Sequence, residues 1–308
     1  MANVSDIRFH IKSVKQTRQI TNAMHMVSAA RMRKALDGIA KNRSYFYHAL
    51  DVIVDIRNHT GDITHPYLKH RAGDKVAYIV VAGEKGLSGS YNHAVLALAD
   101  SLMADKNVVE IYTIGSVGTS YFLRRGITPD RHFERLAEKP KLDQVRRLMT
   151  ILIEQYDRGE IDELRIIYTR FINTLSREPM EQKLLPVELN DFKRGRPTSS
   201  ADEEYDRSYI LYDPSPKEVL NALIPQLLIG YVYGAIVHAY ASENCSRMAA
   251  MENATRSADK MIEKLTQQYH AVRQLTITNE LADIIGAANA ANAARSADAA
   301  YYPEEKRP

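Results

Sequence analysis

The sequence predicts an α/β protein in which two long terminal helices form an antiparallel coiled coil beside an inserted, Rossmann-like α/β domain with a mainly parallel sheet. Roughly 60 residues at the start and roughly 70 near the end carry apolar side chains at the three- and four-residue steps of a helix. The middle of the chain instead alternates short apolar runs with helical segments, a pattern typical of β-α-β units. The chain therefore divides into a helix over 1–60, a globular domain over 61–213, a helix over 214–290 and a tail extension over 291–308.

The first helix is expected to begin at Asn3 or Ser5 and to end between Asn58 and Gly61. Its apolar stripe consists of Ile7, Ile11, Val14, Ile20, Met24, Val27, Met32, Leu36 and Ile39. Its polar positions are notably basic: Arg8, Lys12, Lys15, Arg18, Arg31, Arg33, Lys34, Lys41 and Arg43. These cations form either an ordinary solvated face or a docking stripe for an acidic protein surface, since fixed positive charge offers a complementary potential.

In the middle of the chain, apolar runs and turn residues predict the order strand, helix, strand, two helices, strand. The strands are expected at Val76–Ala82, Val108–Ile114 and Leu164–Phe171, and the helices at Tyr91–Ala104, Ser116–Arg125 and Leu142–Tyr156. Two further strands, Lys183–Glu188 and Ser208–Tyr212, are expected on either side of a polar loop over 190–206. This order indicates one compact domain between the two terminal helices.

The last helix has a clear start. Ser215 suits the N-cap, Pro216 the first helical position, and Glu218 completes a capping box. Two heptad positions predict a seam, with Met251, Ala258, Leu265 and Val272 on one and Ala254, Met261, Gln268 and Leu275 on the other. Such a seam suits one partner helix. The N-terminal helix is the most economical partner, and antiparallel pairing is expected to bring Met24 and Val27 against this seam.

Residues 222–240 of this helix carry no formal charge and come close to the length that spans a bilayer. However, Pro225, Gln226 and His238 interrupt the apolar run, and the helical pattern continues directly into a charged half. A helix that is apolar all round also occurs in protein cores. The expectation is therefore a helix buried by protein in a soluble chain. The tail could continue the helix to about Ala300 or be disordered, and Pro303 would end any helix there.

Residue patterns for chemistry are sparse. Gly83, Gly86 and Gly89 follow a strand, but their G-x-x-G-x-x-G spacing matches neither the dinucleotide-binding G-x-G-x-x-G nor the phosphate loop G-x-x-x-x-G-K-[ST]. The mismatch favours a tight turn. A single cysteine, Cys245, excludes an internal disulfide, and the ten histidines show no metal-binding spacing. The formal charge of +3 is too small to indicate nucleic acid. No cofactor, metal, catalytic residue or N-terminal targeting peptide is expected.

Several longer motifs resemble one family. The beginning, DIRFHIKSVKQTRQITNAMHMVSAARMRKA, and the end, ASENCSRMAAMENATRSADKMIEKLTQQYHAVRQLTITNELADIIGAA, closely resemble the gamma subunit of F-type ATP synthases. Between them, GEKGLSGSYN, FINTLSREP and LYDPSPKEVL agree too, so the resemblance reaches to about Ala290. It implies a non-catalytic central rotor stalk that couples ion flow through the membrane c ring to ATP synthesis or hydrolysis. The implied partners are the alpha and beta subunits, the epsilon subunit and the c ring, at the cytoplasmic side of a bacterial inner membrane. Nucleic acid is not among them, and the membrane is reached only through the complex.

The resemblance also implies contact residues. Met24 matches the position where the rotor meets an acidic lever of a beta subunit. Arg273 and Gln274 match positions that hydrogen-bond a beta loop, and Thr278 and Glu280 match positions linked to efficient coupling. Alternatively, these four polar residues are only the exposed side of a helix.

Tyr212 and Asp213 match the part of the family that touches the c ring. The region 186–208 has no cysteine, so the thiol switch of the chloroplast type is not expected. Two other classes stay open from the residues alone: a non-rotary coiled-coil adaptor and a nucleotide-binding α/β enzyme. Copurification with alpha and beta subunits separates the first from a rotor, and ATP or NAD binding by the isolated chain identifies the second.

Overall fold

A computed structural model describes residues 4–59, 65–130, 133–188, 212–213 and 215–301, with side chains described up to 56 in the first segment and 294 in the last. The elements are α1 (Val4–His59), β1 (Lys75–Val81), α2 (Tyr91–Met103), β2 (Asn107–Ile114), α3 (Ser116–Leu123), a 3-10 turn (Glu134–Ala137), α4 (Leu142–Asp157), β3 (Glu163–Phe171), β4 (Arg177–Leu185) and α5 (Pro216–Tyr301). The contacts separate two compact units, Met24–Met251 and a second made of Met1–Ala23 with Glu252–Pro308.

The described strands form a sheet in the order β2-β1-β3-β4. β1 pairs in parallel with both β2 and β3, which confirms the mainly parallel sheet. The predicted strand at Lys183–Glu188 was placed too late, because β4 begins at Arg177 and pairs antiparallel with β3 across a short hairpin. Of the strand predicted at Ser208–Tyr212, residues 208–211 lie outside the described residues, and Tyr212 lies outside any strand.

The core surrounds β1, whose residues from Val76 onward are buried on both faces. A continuous apolar strand of this kind is typical of a parallel sheet covered on both sides. One face packs on α2, with Val95 and Leu96 buried. The other packs on α4 and on the parts of α1 and α5 that belong to this unit, with Ile53 and Leu228 buried. The apolar stretches of both long helices therefore complete the core of the domain.

The uncharged stretch 222–240 lies in this core. Leu227, Leu228 and Val232 are completely buried, which confirms the expectation of a helix buried by protein. By length and composition the described part of α5 does contain a window long enough to cross a membrane, and half of that window is buried inside the protein. The core helix of a soluble protein meets the same criterion.

Within the unit Met24–Met251, α1 and α5 run antiparallel. Asn42 Nδ2 donates to the backbone oxygen of Gly230 at 3.0 Å, and Tyr45 Oη donates to Gln226 Oε1 at 3.2 Å. Rising residue numbers on α1 therefore meet falling numbers on α5.

The same sense of pairing holds within the other unit. The hydroxyls of Thr21 and Thr255 lie 2.7 Å apart and share a hydrogen bond. Arg18 forms an ion pair with Asp259. The antiparallel coiled coil is thus confirmed by contacts inside each unit.

On α1 the buried seam differs from the predicted stripe. Ile20 and Val27 are 61% and 50% exposed, whereas their polar neighbours Thr21 and Ser28 are only 9% and 3% exposed. Burial follows a strict seven-residue repeat that runs through Ile7, Val14, Thr21, Ser28 and Ala35. The prediction for Ile20 and Val27 was wrong because it assigned the seam by polarity, while the heptad position decides which side chains face the partner helix.

On α5 one predicted seam position is correct and the other is shifted. Met251 and Ala258 are buried, but Met261 and Leu275 are 54% and 63% exposed, and of their predicted set only Ala254 is even half buried. The second seam position lies four residues after the first, at Thr255, Ile262 and Tyr269. Because α1 covers only one side of α5, the apolar residues of the predicted second position remain outside the helix pair.

Candidate functional site

The last part of α5 extends beyond the residues that α1 can cover. Arg18 on α1 pairs with Asp259 on α5, and the two helices run antiparallel. Val4, the first described residue of α1, lies 14 residues before Arg18, and Arg273 lies 14 residues after Asp259. The described part of α1 therefore reaches only to about Arg273. Val272 is the last half-buried residue, and every described side chain from 273 to 294 is exposed although the helix continues to Tyr301. We call residues 273–294 the free end of α5.

The free end of α5 carries an aliphatic stripe. Its exposed large apolar side chains are Leu275, Ile277, Leu281, Ile284 and Ile285. Four of them, from Ile277 to Ile285, recur at the four-, seven- and eight-residue spacings that place them on one side of a helix. A contiguous exposed apolar surface marks a site of interaction with another protein. Sequence reasoning missed this stripe, although the signal was present in apolar residues that continue past the reach of α1.

The four polar residues predicted to contact a beta subunit lie on the same free end. Arg273, Gln274, Thr278 and Glu280 are all exposed. Thr278 Oγ1 donates to the backbone oxygen of Gln274 at 2.9 Å, so these two residues are linked along the helix. Among the described residues neither Arg273 nor Glu280 forms an ion pair, which leaves both charges available to a partner.

Met24 lies on α1, in the unit Met24–Met251, and is half buried. Its neighbours Met26 and Val27 are exposed, while Ser28, one turn further on, is buried. The flexible, uncharged thioether of Met24 is therefore partly available at the helix surface, and such a side chain adapts to more than one contact.

The nine basic side chains predicted on the polar side of α1, from Arg8 to Arg43, are all exposed, as either interpretation of them requires. Arg18 is held by Asp259. These basic side chains of α1 therefore present positive charge to solvent, and this charge attracts an acidic surface over a long range.

Tyr212 and Asp213 directly precede the last helix. Tyr212 is half buried and packs against the main core, while Asp213 is exposed. The predicted helix start is confirmed, because the Glu218 backbone N–H donates to Ser215 Oγ at 3.3 Å. The core contact of Tyr212 and this cap hold Asp213 at the surface.

The glycine turn after β1 is organised by protein groups. The backbone N–H of Gly83 donates to Asn92 Oδ1 at 2.7 Å, and Arg247 donates to the carbonyls of Lys85 and Gly86, both at 3.2 Å. Gly89 has a φ of 58°, a left-handed conformation that favours glycine. These contacts support the structural interpretation of the glycines.

Arg247 also forms a buried ion pair with Glu243 on α5. Burial raises the pKa of the Glu243 carboxyl, and the neighbouring Arg247 opposes that rise. Sequence reasoning missed this pair; its only signal was a glutamate and an arginine four residues apart beside an apolar stretch.

Cys245 is buried, and Arg177 Nη1 lies 3.1 Å from its sulfur. Within the described ranges, no group of three or more histidine, cysteine, aspartate or glutamate residues is arranged to hold a metal ion.

Comparison with known sequences gives consistent matches. The profile of the family described as ATP synthase matches residues 3–291. The chain is 37% identical to the ATP synthase gamma chain of Ruminiclostridium cellulolyticum, over 94% of this chain and 98% of the relative. It is 36% identical to the sodium ion specific ATP synthase gamma chain of Acetobacterium woodii, over 94% and 99% respectively.

Solved structures agree in fold. A chain of the Euglena gracilis mitochondrial ATP synthase, from its OSCP/F1/c-ring structure, superimposes with a TM-score of 0.61 at 15% identity, covering 99% of this chain and 98% of that one. A chain of the Tetrahymena thermophila mitochondrial ATP synthase central stalk and c ring gives a TM-score of 0.54 at 21% identity, covering 76% and 99%.

Proposed function

The chain belongs to the gamma-chain family of the ATP synthases, and from that premise we propose that it is the central rotor stalk of such an enzyme. In this role it couples ion flow through a membrane c ring to ATP synthesis or hydrolysis in the alpha and beta subunits. The observation that carries the proposal is the free end of α5, an exposed helix whose aliphatic stripe is a surface for binding surrounding protein subunits.

Coupling by rotation requires that one chain contact several equal catalytic sites differently. The free end of α5 carries the aliphatic stripe on one side, bordered by Arg273 and Glu280, and the polar residues Asn279 and Asp283 on the opposite side. A catalytic site that meets the stripe and a catalytic site that meets the opposite, polar side of the helix then have different contact free energies, so their conformational populations differ. Turning the helix moves those populations from site to site.

The contact residues follow the same logic. Met24 meets an acidic lever of a beta subunit as a sliding, uncharged contact. Arg273 and Gln274 hydrogen-bond a beta loop, with Arg273 supplying the charge-assisted bond. Thr278 and Glu280 lie one to two turns further along α5 and keep catalysis coupled to rotation.

Tyr212 and Asp213 contact the c ring. The chain supplies no catalytic group itself and reaches the membrane only through the complex, on the cytoplasmic side in a bacterium. The exposed basic side chains of α1 face acidic surfaces of the alpha and beta subunits.

Coexpression with the alpha and beta subunits tests this function. A double substitution, Leu281→Lys with Ile285→Lys, is expected to reduce the amount of the chain that copurifies with alpha and beta about tenfold, since two charges enter an apolar contact. The free energy of unfolding of the chain alone should change by no more than about 0.5 kcal/mol, because both side chains are exposed.

The matched control adds the same charge to the opposite side of the helix, with Asn279→Lys and Asp283→Asn. This variant should copurify with alpha and beta as the wild type does. Equal recovery of the two double variants would show that the aliphatic stripe is not the contact and would contradict the proposal.

A further inference from the structure

A cavity of about 770 Å³ lies within the unit Met24–Met251, between α1, α5 and the last two strands of the sheet. The rotor function proposed above does not use it. Its walls are rich in aromatic rings, contributed by Phe46, Tyr47, Tyr168, Phe171 and Tyr231. This volume and an aromatic lining with a few polar groups are typical of a site for a small organic molecule.

Two polar atoms on the cavity wall are buried without a hydrogen-bond partner among the described residues. They are Nε of Arg170, at the end of β3, and Nδ1 of His238, on α5. Buried polar atoms in native proteins are nearly always bonded, so an unsatisfied one needs an explanation. A bound molecule that supplies the missing partners is such an explanation.

The polar groups converge on one region of the cavity. Burial raises the pKa of the Tyr168 and Tyr231 hydroxyls, and the Arg170 charge opposes the rise at both. Burial lowers the pKa of His238 to about 4, opposed by a hydrogen bond to the Phe171 backbone and assisted by the Arg170 charge, so this ring is neutral near pH 7. Arg170 is therefore close enough to all three residues to act on them electrostatically.

The two arginines and two glutamates that line the cavity balance in charge, but the two arginines are not equally paired. Arg170 pairs with Glu178 at 3.2 Å, and the remaining acid of the lining, Glu181, pairs with Arg165 at 3.0 Å. Arg43 is exposed at the cavity and has no ion-pair partner among the described residues. A cation without an ion-pair partner beside aromatic walls offers a position for an anion that also has an apolar body.

We propose that this cavity binds a small amphipathic carboxylate. Its carboxylate accepts the Nε–H of Arg170 and is attracted by Arg43, a charge-assisted arrangement stronger than a neutral hydrogen bond. Its hydrocarbon or ring packs between the aromatic walls, where offset and edge contacts are favourable. Nδ1 of the neutral His238 ring offers a hydrogen-bonding position for a second polar group on the ligand.

The absence of tryptophan from this chain makes a direct test possible. In Phe171→Trp, the introduced indole at the cavity wall is the only one in the protein. The probes are 3-phenylpropionate and its neutral amide, 3-phenylpropionamide. The indole fluorescence should change saturably with the carboxylate, with a Kd of about 1 mM or tighter, and the amide should bind about tenfold more weakly. Calorimetry on the full chain without the reporter should give the same Kd.

Variants locate the charge. Arg170→Met and Arg43→Met are each expected to raise the Kd for the carboxylate about tenfold and to leave the Kd for the amide unchanged. Lys41→Met removes an exposed cation of the same helix that does not line the cavity, and it should bind as the wild type does. If Arg170→Met does not fold, Arg170→Lys keeps the charge, lacks Nε and should still weaken binding of the carboxylate.

Each contrary result overturns the proposal. Carboxylate and amide bound equally well would show that the charge is not recognised. An unchanged Kd in both Arg170 variants would remove the assigned donor, and a loss in Lys41→Met equal to that in Arg43→Met would show a general charge effect. The absence of saturable binding would exclude the site.

Discussion

The side chain of Met24 is half buried on α1 and uncharged, so it can lie against an acidic partner surface without forming an ion pair. A contact that must form and break in every turn of a rotor is best weak and apolar. If Met24 meets an acidic lever of a beta subunit as proposed, a lysine at this position would form an ion pair that must dissociate at each step, and a partly desolvated pair costs more to separate than an exposed one.

Met24→Lys is therefore expected to leave the complex assembled and able to hydrolyse ATP but to impair ATP-driven ion pumping. The measurement compares ATP hydrolysis and ion uptake in the same membrane vesicles. Met24→Leu, which keeps an apolar side chain of similar size, is the control and should pump normally. Pumping by Met24→Lys at the wild-type ratio of ions to ATP would count against a contact at Met24.

His238 links stability to pH. Burial holds its pKa at about 4 in the folded chain, against an ordinary value of 6.5, so the folded state favours the neutral ring. A lowered pKa contributes stability above pH 6.5 that is lost as the pH falls toward 4. The difference corresponds to about 3 kcal/mol.

The free energy of unfolding of the wild type should thus fall between about pH 7 and about pH 5 more steeply than that of His238→Gln. Denaturant titrations at the two pH values measure both slopes. The same slope in both proteins would show that His238 protonates as easily in the folded chain as in the unfolded one. His65, whose pKa is also lowered by burial, contributes in the same direction in both proteins and cancels in the comparison.

At the scale of the helices, the seam between α1 and α5 is set by position in the heptad rather than by polarity. Thr21 and Thr255 occupy it and satisfy each other by a hydrogen bond, while apolar Ile20 and Met261 remain outside. A polar side chain in a seam is tolerated when its partner is present, because the cost of burial is offset by the bond.

Two glutamate substitutions on α5 test this seam. Ala258→Glu places a charge in the seam and is expected to lower the free energy of unfolding by about 2 kcal/mol or more. Met261→Glu, on the exposed side, should change it by no more than about 0.5 kcal/mol. Thermal or chemical unfolding of the purified chain measures both. A larger loss from Met261→Glu would restore the seam predicted from the sequence and contradict the observed one.

At the scale of the whole molecule, the chain offers helices, a sheet domain and interaction surfaces, and its described parts contain no group of three or more histidine, cysteine, aspartate or glutamate residues arranged to hold a metal ion. Its relatives include a gamma chain named as sodium ion specific at 36% identity and others without that name at 37%. Similarity of this degree to both is expected if the coupling ion is selected elsewhere in the enzyme.

A hybrid enzyme tests that expectation. This chain, placed in the Acetobacterium woodii complex in place of its own gamma chain, should leave the sodium dependence of ATP hydrolysis and pumping unchanged. The rates are measured as a function of sodium concentration in the hybrid and the parent. Loss of sodium dependence in an assembled, active hybrid would show that the gamma chain takes part in ion selection.

Periodicity and composition were sufficient for the α/β class, the two long helices, the parallel strands and the burial of residues 222–240, because these follow from local repeats of apolar side chains. The N-cap at Ser215 was equally local. The family motifs suggested Arg273, Gln274, Thr278 and Glu280, and the structure adds that all four are exposed on the free end of α5.

Only the tertiary structure decided which side of each helix is covered. Thr21 and Ser28 are buried in place of Ile20 and Val27 because the partner helix approaches from one direction, which no single helix encodes by polarity alone. The burial of the pair Glu243 and Arg247, the exposure of the aliphatic stripe from Ile277 to Ile285 and the cavity at Arg170 and His238 likewise depend on which distant segments pack against these residues. The local sequence determines whether a segment is a helix or a strand. The segments that pack against it determine which of its side chains are buried, and burial in turn sets their accessibility, their pKa and the charge they carry.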